Sequence, residues 1–245
     1  MAGSPQHRQQ SRPNFRARQL GTLLLLVALL AMAVFVGARA LGHASPTSTT
    51  TTSTTTTLPP TTTTTVDPGG LPQTLALPPS SNASLEVRLM PLWHAIQSDN
   101  LGLAQSVFFP ESAYVSMKTG QIPNPQSDYA LRLLAFLKLD LATYHQALGT
   151  APMSVPLLEV LGQPSNSTLI QPNTCENNVA YWYQPRLRLV YRIGGEIHSF
   201  GIASVISWRG VWYVIHLGPN PRPYDVGTLD LPAVGTGAPG PPGGC

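Results

Sequence analysis

The chain is poor in charge and in cysteine. Only 10% of its 245 residues are charged, and it holds two cysteines, Cys175 and Cys245. Two cysteines cannot complete a zinc site, and no His/Cys cluster stands at ligand spacing, so neither a metal nor another cofactor is expected. The pair allows one intramolecular disulfide, with a free or intermolecular Cys245 as the alternative. Acidic residues are missing altogether from residues 1–46, which carry five arginines, Arg8, Arg12, Arg16, Arg18 and Arg39. The remainder carries nine basic and eleven acidic residues, a net of −2. A nucleic-acid binder needs a basic face on its folded part. The pI of about 9.0 belongs to the leader instead, so no nucleic-acid partner is expected.

What is abundant is apolar length and threonine. Leu20–Ala38 is a nineteen-residue run without a charged side chain. As a helix it spans roughly 28 Å, close to the hydrocarbon thickness of a bilayer. Basic residues precede it and stay on the cytoplasmic side. The expected organisation is a basic cytoplasmic tail over 1–19, a transmembrane helix over 20–41 in contact with the lipid bilayer, and everything beyond it extracytoplasmic. The alternative is secretion after cleavage near Ala40, where Ala38-Arg39-Ala40 fits the small-x-small pattern. From Thr47 to Thr65, fourteen of nineteen residues are Thr. Such a tract buries too little apolar surface to order itself, so residues 42–83 are expected to be a disordered Thr/Pro-rich linker. Fully extended, it reaches on the order of 120 Å. The Gly/Pro-rich stretch 221–245 is also expected to be disordered, which leaves one domain over 84–220.

Within that domain, Pro91 suits the first turn of a helix bearing Leu89, Trp93 and Ile96 on one face. A short helix follows over Leu101 to Val107, and Ala113 to Met117 has the pattern of a first strand. The clearest helix runs from Asp128 to Leu148, with Ser127 as N-cap, Gly149 after its end, and Leu134, Leu137, Leu141, Tyr144 and Leu148 in one stripe. Asp140 and His145 flank that stripe on opposite edges, too far apart to act as a dyad, and are expected to be solvated. The last third is a β-meander. Gly194-Gly195 and Arg209-Gly210 are two-residue hairpin signals. They fix the register, placing Tyr191 opposite His198, Leu189 opposite Phe200, Ile206 opposite Tyr213, Arg188 opposite Gly201 and His216 opposite Ala203. One face is a full core face. The reverse face carries Arg188, Trp212 and His216 above small residues. It is expected either to form a shallow ligand- or partner-facing pocket or to be covered by another segment.

Leu92-Trp93-His94-Ala95-Ile96-Gln97-Ser98-Asp99-Asn100-Leu101, followed by Phe108-Phe109-Pro110, resembles the opening of ketosteroid-isomerase-like (SnoaL-like, cystatin-like α+β) domains. The closing Ser207-Trp208-Arg209-Gly210-Val211-Trp212-Tyr213 is similar to the long antiparallel strands that end that fold. The anchor, Thr stalk and final domain together resemble a group of bacterial surface proteins. The resemblance implies an α+β domain with helices packed on a curved antiparallel sheet, cone-like, enclosing a pocket. Some members are isomerases or dehydratases, and many are binding or dimerisation modules. No catalytic pattern carries over, so His94, Tyr114 and His216 are only acid/base candidates. The leading expectation is a membrane-anchored binding or protein-interaction module for a cell-envelope ligand or partner protein. A small-molecule enzyme and a homodimerising structural module are the alternatives.

Overall fold

The structure, a computed structural model, describes residues 66–241. The expected cytoplasmic tail, the expected span over 20–41 and the Thr tract lie outside these residues, as does Cys245. Among the described residues no helix is long and apolar enough to cross a membrane.

The fold is α+β, with helices against a six-stranded open antiparallel sheet. Helix α1, Asn82–Ser98, starts at Ser81, whose hydroxyl accepts the Ser84 amide at 3.2 Å. This N-cap satisfies one of the orphan donors of a helix start, so the helix begins well before Pro91, which sits inside it. Asp99 ends it at φ 47, its amide returned to Ala95 and Ile96. Leu85, Leu89, Leu92, Trp93 and Ile96 are buried, and Trp93 lies 5.6 Å from Tyr191 on the sheet.

Helix α2, Leu101–Ala104, and α3, Glu111–Lys118, follow. The expected strand over Ala113 to Met117 is therefore a helix. Ala113, Tyr114 and Met117 are its buried residues, a spacing of one and four that fits a helical face better than strict alternation. The long helix arrives in three parts: α4, Pro125–Asp128, a π-helical stretch Tyr129–Leu134, and α5, Ala135–Ala147. Its cap is Asn124, which accepts the Ser127 amide, rather than Ser127. The wider π turn rotates the chain, so Leu133 takes the deeply buried place expected for Leu134. Gly149 follows the helix at φ 83, as a residue past the C-cap should.

The strands are β1, Leu157–Leu161, β2, Thr168–Ile170, β3, Tyr181–Ile193, β4, Glu196–Trp208, β5, Val211–His216, and β6, Asp230–Val234. Their order is β1-β3-β4-β5, with β2 added to β3 and β6 to β4. Gly194 and Gly195 make the β3–β4 turn at φ 59 and 90, both in the left-handed region a tight hairpin requires. The register that follows pairs Tyr191 with His198, Leu189 with Phe200 and Arg188 with Gly201. Ile206 pairs with Tyr213 across the second hairpin. His216 departs from expectation. A bulge between Ser204 and Val205 sets it opposite Ser204 instead of Ala203.

Both ends of the domain reach further than residues 84–220. Three indole N–H groups hold the segment before α1: Trp208 donates to the Pro68 carbonyl at 3.0 Å, Trp182 to Leu75 at 3.1 Å and Trp212 to the Ser80 hydroxyl at 3.1 Å. Gln73 adds a bond from its amide to the Ser207 carbonyl at 2.9 Å. Residues 66–83 are thus bound to the sheet, not free linker. At the other end, residues 221–241, expected to be disordered, supply β6 and a buried ion pair. Asp140 is 1% exposed, accepts the amides of Gly218 and Thr228, and pairs with Arg222. It is a buried organiser of this segment rather than a solvated rim residue. His145 turns away from it, with Nδ1 3.0 Å from the Ile96 carbonyl.

Candidate functional site

A cavity of about 980 Å³ opens between α3, the π-helical stretch and the sheet, and it is bounded on one side by the C-terminal segment. That is near the upper end for small-molecule sites. It holds two of the three acid/base candidates. Tyr114 comes from α3, and His216 reaches it through the bulge at the end of β5, a device that re-aims a side chain. His94 does not line it. That residue is exposed on α1, with Nδ1 3.1 Å from Gln97 Oε1.

The residues that join Tyr114 come from the next helix. The Tyr114 hydroxyl donates to Asp128 and receives a bond from Arg132 at 2.9 Å. Arg132 grips Asp128 through two nitrogens, at 2.8 and 2.6 Å. A bidentate guanidinium–carboxylate pair with an added hydroxyl is a fixed, directional unit. The Arg132 bonds hold the Asp128 carboxyl below its ordinary range, against the opposing effect of burial. Burial, helped by the bond to Asp128, pushes the Tyr114 hydroxyl up. Tyr114 is therefore a hydrogen-bond donor near neutral pH and not a ready base. Lys118, one turn further along α3, donates to the Cys175 carbonyl at 3.0 Å, and burial lowers its ammonium.

His216 is half-buried, and burial lowers it to about 4, with Arg132, Arg222 and Lys118 adding to the effect. At neutral pH it is a neutral imidazole, with Nε2 3.4 Å from the Asn220 side-chain nitrogen. Tyr181, Tyr183 and Asn177 form part of the wall, and the Asn177 side-chain nitrogen donates to the Tyr181 hydroxyl at 2.8 Å. Asp230, at the start of β6, closes another part of it. Burial raises its carboxyl, opposed by Arg186 and Arg188. Its side chain packs so closely on Gly201 that a Cβ there would lie 1.9 Å from Oδ2. Cys175 also lines the cavity and is held in a disulfide, with Cys245 outside the described residues.

The reverse face of the sheet is covered at two of the three positions expected to face a ligand or partner. Arg188 is 2% exposed; it donates to the Leu231 carbonyl at 2.8 Å and to Ser199 Oγ at 2.5 Å. Gly237 lies directly on its guanidinium. Trp212 is equally buried under the N-terminal segment. Of the three reverse-face candidates, only His216 reaches a cavity. Lys118, Asp128, Arg132, Asn177 and Asp230 were not singled out from the sequence. One signal for them was present, the Asp128–Arg132 spacing of four at a helix start. Among the described residues no group of three His, Cys, Asp or Glu side chains could hold a metal ion.

No family model, no curated protein and no solved structure matches this chain.

Proposed function

We propose that this chain is a membrane-anchored extracytoplasmic binding protein of the cell envelope, whose cavity takes a small molecule. The expected anchor and Thr stalk would present the domain beyond the bilayer. Its helices and sheet would close as the cone of ketosteroid-isomerase-like domains does. The observation that carries the reading is the cavity, large and walled by directional polar groups on ordered elements. The test is native mass spectrometry of the full chain in lipid nanodiscs after exposure to a small-molecule extract of cell envelopes. Ala203 lines the cavity, so Ala203→Phe narrows it. Adducts on the wild-type chain that are lost in Ala203→Phe support the reading. Equal adducts on both, or none on either, overturn it.

A catalytic reading has one specific observation behind it. The neutral His216 imidazole lines the same cavity as the Tyr114–Asp128–Arg132 unit. That places an acceptor and a donor around one space, as acid–base chemistry requires. Turnover of a bound ligand that disappears in His216→Asn while its binding persists would support this reading. Binding without turnover supports the first.

A further inference from the structure

The geometry points to an ionised carboxylic acid with an apolar body as the ligand of the cavity, an assignment that rests on the binding reading above and narrows it. The charged wall groups with hydrogen-bonding capacity left over are mostly donors. Lys118 spends one of its three N–H groups on the Cys175 carbonyl, at 3.0 Å. Arg132 spends Nε and Nη2 on Asp128 and Tyr114. Its Nη1 has no partner among the described residues and remains accessible. The two cations converge on one side chain. Lys118 Nζ lies 5.8 Å from the centre of the Tyr114 ring, and Arg132 Nη2 lies 2.9 Å from its hydroxyl. Arg186, on β3, is exposed and lines the same cavity.

The carboxylates are turned to other partners. Asp128 Oδ1 is bonded to Arg132 Nε, and Oδ2 to Arg132 Nη2 and the Tyr114 hydroxyl. Asp230 Oδ2 packs against Gly201 and is sealed from solvent. The Asp230 charge faces Arg188, which is not part of the wall, as well as Arg186. Glu176 is exposed, where water and salt weaken its field. Lys118, Arg132, Arg186 and Arg188 against Asp128, Glu176 and Asp230 leave one positive charge in excess. His216 feels the same imbalance. Arg132, Arg222 and Lys118 act on it against Asp128, with Arg222 matched by Asp140. An ammonium ligand finds no open carboxylate except Glu176, and a neutral ligand leaves the excess charge unanswered. One carboxylate answers both the charge and the free N–H groups. A phosphate monoester brings nearly two charges and overshoots. Met117, Ile122, Leu133, Ile206 and Ile215 also line the cavity, which favours an apolar body behind the head group.

The assignment is tested by calorimetric titration of the full chain in nanodiscs, with empty nanodiscs as the blank. The probes are 3-phenylpropionate, its uncharged amide, 3-phenylpropylamine and 2-phenylethyl phosphate, which share an apolar body and differ in head group. The carboxylate should bind about tenfold or more tightly than each of the others. Lys118→Gln and Arg132→Gln should each weaken it about tenfold or more, with Tm close to that of wild type confirming that the chain is folded. Should Arg132→Gln fail to fold, Lys118→Gln carries the test. Equal or tighter binding of the amide, the amine or the phosphate overturns the assignment, as does unchanged carboxylate binding in the folded variants. If no probe binds while envelope-derived adducts still depend on Ala203, the carboxylate assignment falls and the binding reading stands. If those adducts are also absent, both fall.

Discussion

Acid is expected to weaken this fold through one histidine. His216 titrates near pH 4 in the folded chain, mainly because burial disfavours its charged form. Arg132, Arg222 and Lys118 reinforce this, and Asp128 opposes it. An unfolded histidine titrates near 6.5. Between those values the unfolded chain holds a proton that the folded chain refuses. Stability is therefore full above about pH 6.5 and falls as the pH drops toward 4. The slope approaches 1.4 kcal/mol per pH unit, and the whole gap corresponds to about 3 kcal/mol. Carboxylates titrate in the same window, so the informative quantity is a difference between two proteins. Urea unfolding of the wild-type chain and of His216→Asn, followed by tryptophan fluorescence, supplies it. Relative to its value near pH 7.5, the stability difference should move in favour of the variant by about 1.4 kcal/mol near pH 5.5. Near pH 4.5 the movement should reach about 2.5 kcal/mol. Parallel losses in the two proteins would refute the reasoning, because they would mean His216 is free to protonate in the folded state.

Three further outcomes follow from particular contacts. Asp140→Ala strands Arg222 in a buried site and should cost about 3–5 kcal/mol; hydrogen exchange should show the Gly218 and Thr228 amides opening first, and Asp140→Leu with Arg222→Met should recover much of the loss. Tyr114→Phe removes the hydroxyl shared by Asp128 and Arg132 and should cost about 1 kcal/mol, read from the urea midpoint, while leaving the Asp128–Arg132 pair intact. Gly201→Ala drives a methyl group into the Asp230 carboxyl and should cost about 1–3 kcal/mol; limited proteolysis should then cut around β6 before any other part of the sheet, and even cleavage across the domain would show that the close approach does not hold β6.

The sheet and the cavity differ in how far the sequence predicts them, for a physical reason. Gly194-Gly195 and Arg209-Gly210 leave one tight-turn geometry, and the period of two then assigns every cross-strand neighbour. That logic holds from Tyr191–His198 up to Ile206–Tyr213. It fails at His216 because one bulged residue shifts the register, and no Gly or Pro announces the bulge. Tyr114 lies on a helix rather than the expected strand because Ala113, Tyr114, Val115 and Met117 form a short apolar stretch that suits either structure. Only a partner four residues from Asp128 on another helix shows which is right. The two ends differ from expectation for another reason. A Gly/Pro-rich segment has no apolar period, so nothing in its own pattern tells a docked segment from a loose one. The docking depends on groups elsewhere: three indole N–H donors on the sheet, the Asp140 carboxylate on α5, and the Arg188 guanidinium that Gly237 covers.

That dependence bears on function. Asp230, Pro219, Asn220 and Pro241 all line the cavity, and all belong to the stretch after β5. The stretch is held mainly by polar contacts to buried partners: Asp140 to Gly218, Arg222 and Thr228, and Tyr144 Oη to the Asp230 amide at 2.9 Å. The Tyr144 hydroxyl accepts that amide and shares its one proton between the Gly201 and Leu217 carbonyls, so one hydroxyl joins α5, β4, the end of β5 and β6. If the cavity takes a small molecule, as proposed, its affinity and the docking of this stretch are coupled: loosening the stretch removes part of the wall, and a ligand held against that wall stabilises the docked form. Tyr144→Phe keeps the ring packed 4.9 Å from Phe200 but deletes the junction. It should lower ligand affinity although Tyr144 itself does not line the cavity, and bound ligand should in turn restore amide protection at Asp230. Unchanged affinity in the folded variant would show that this wall of the cavity does not need the hydroxyl to hold it.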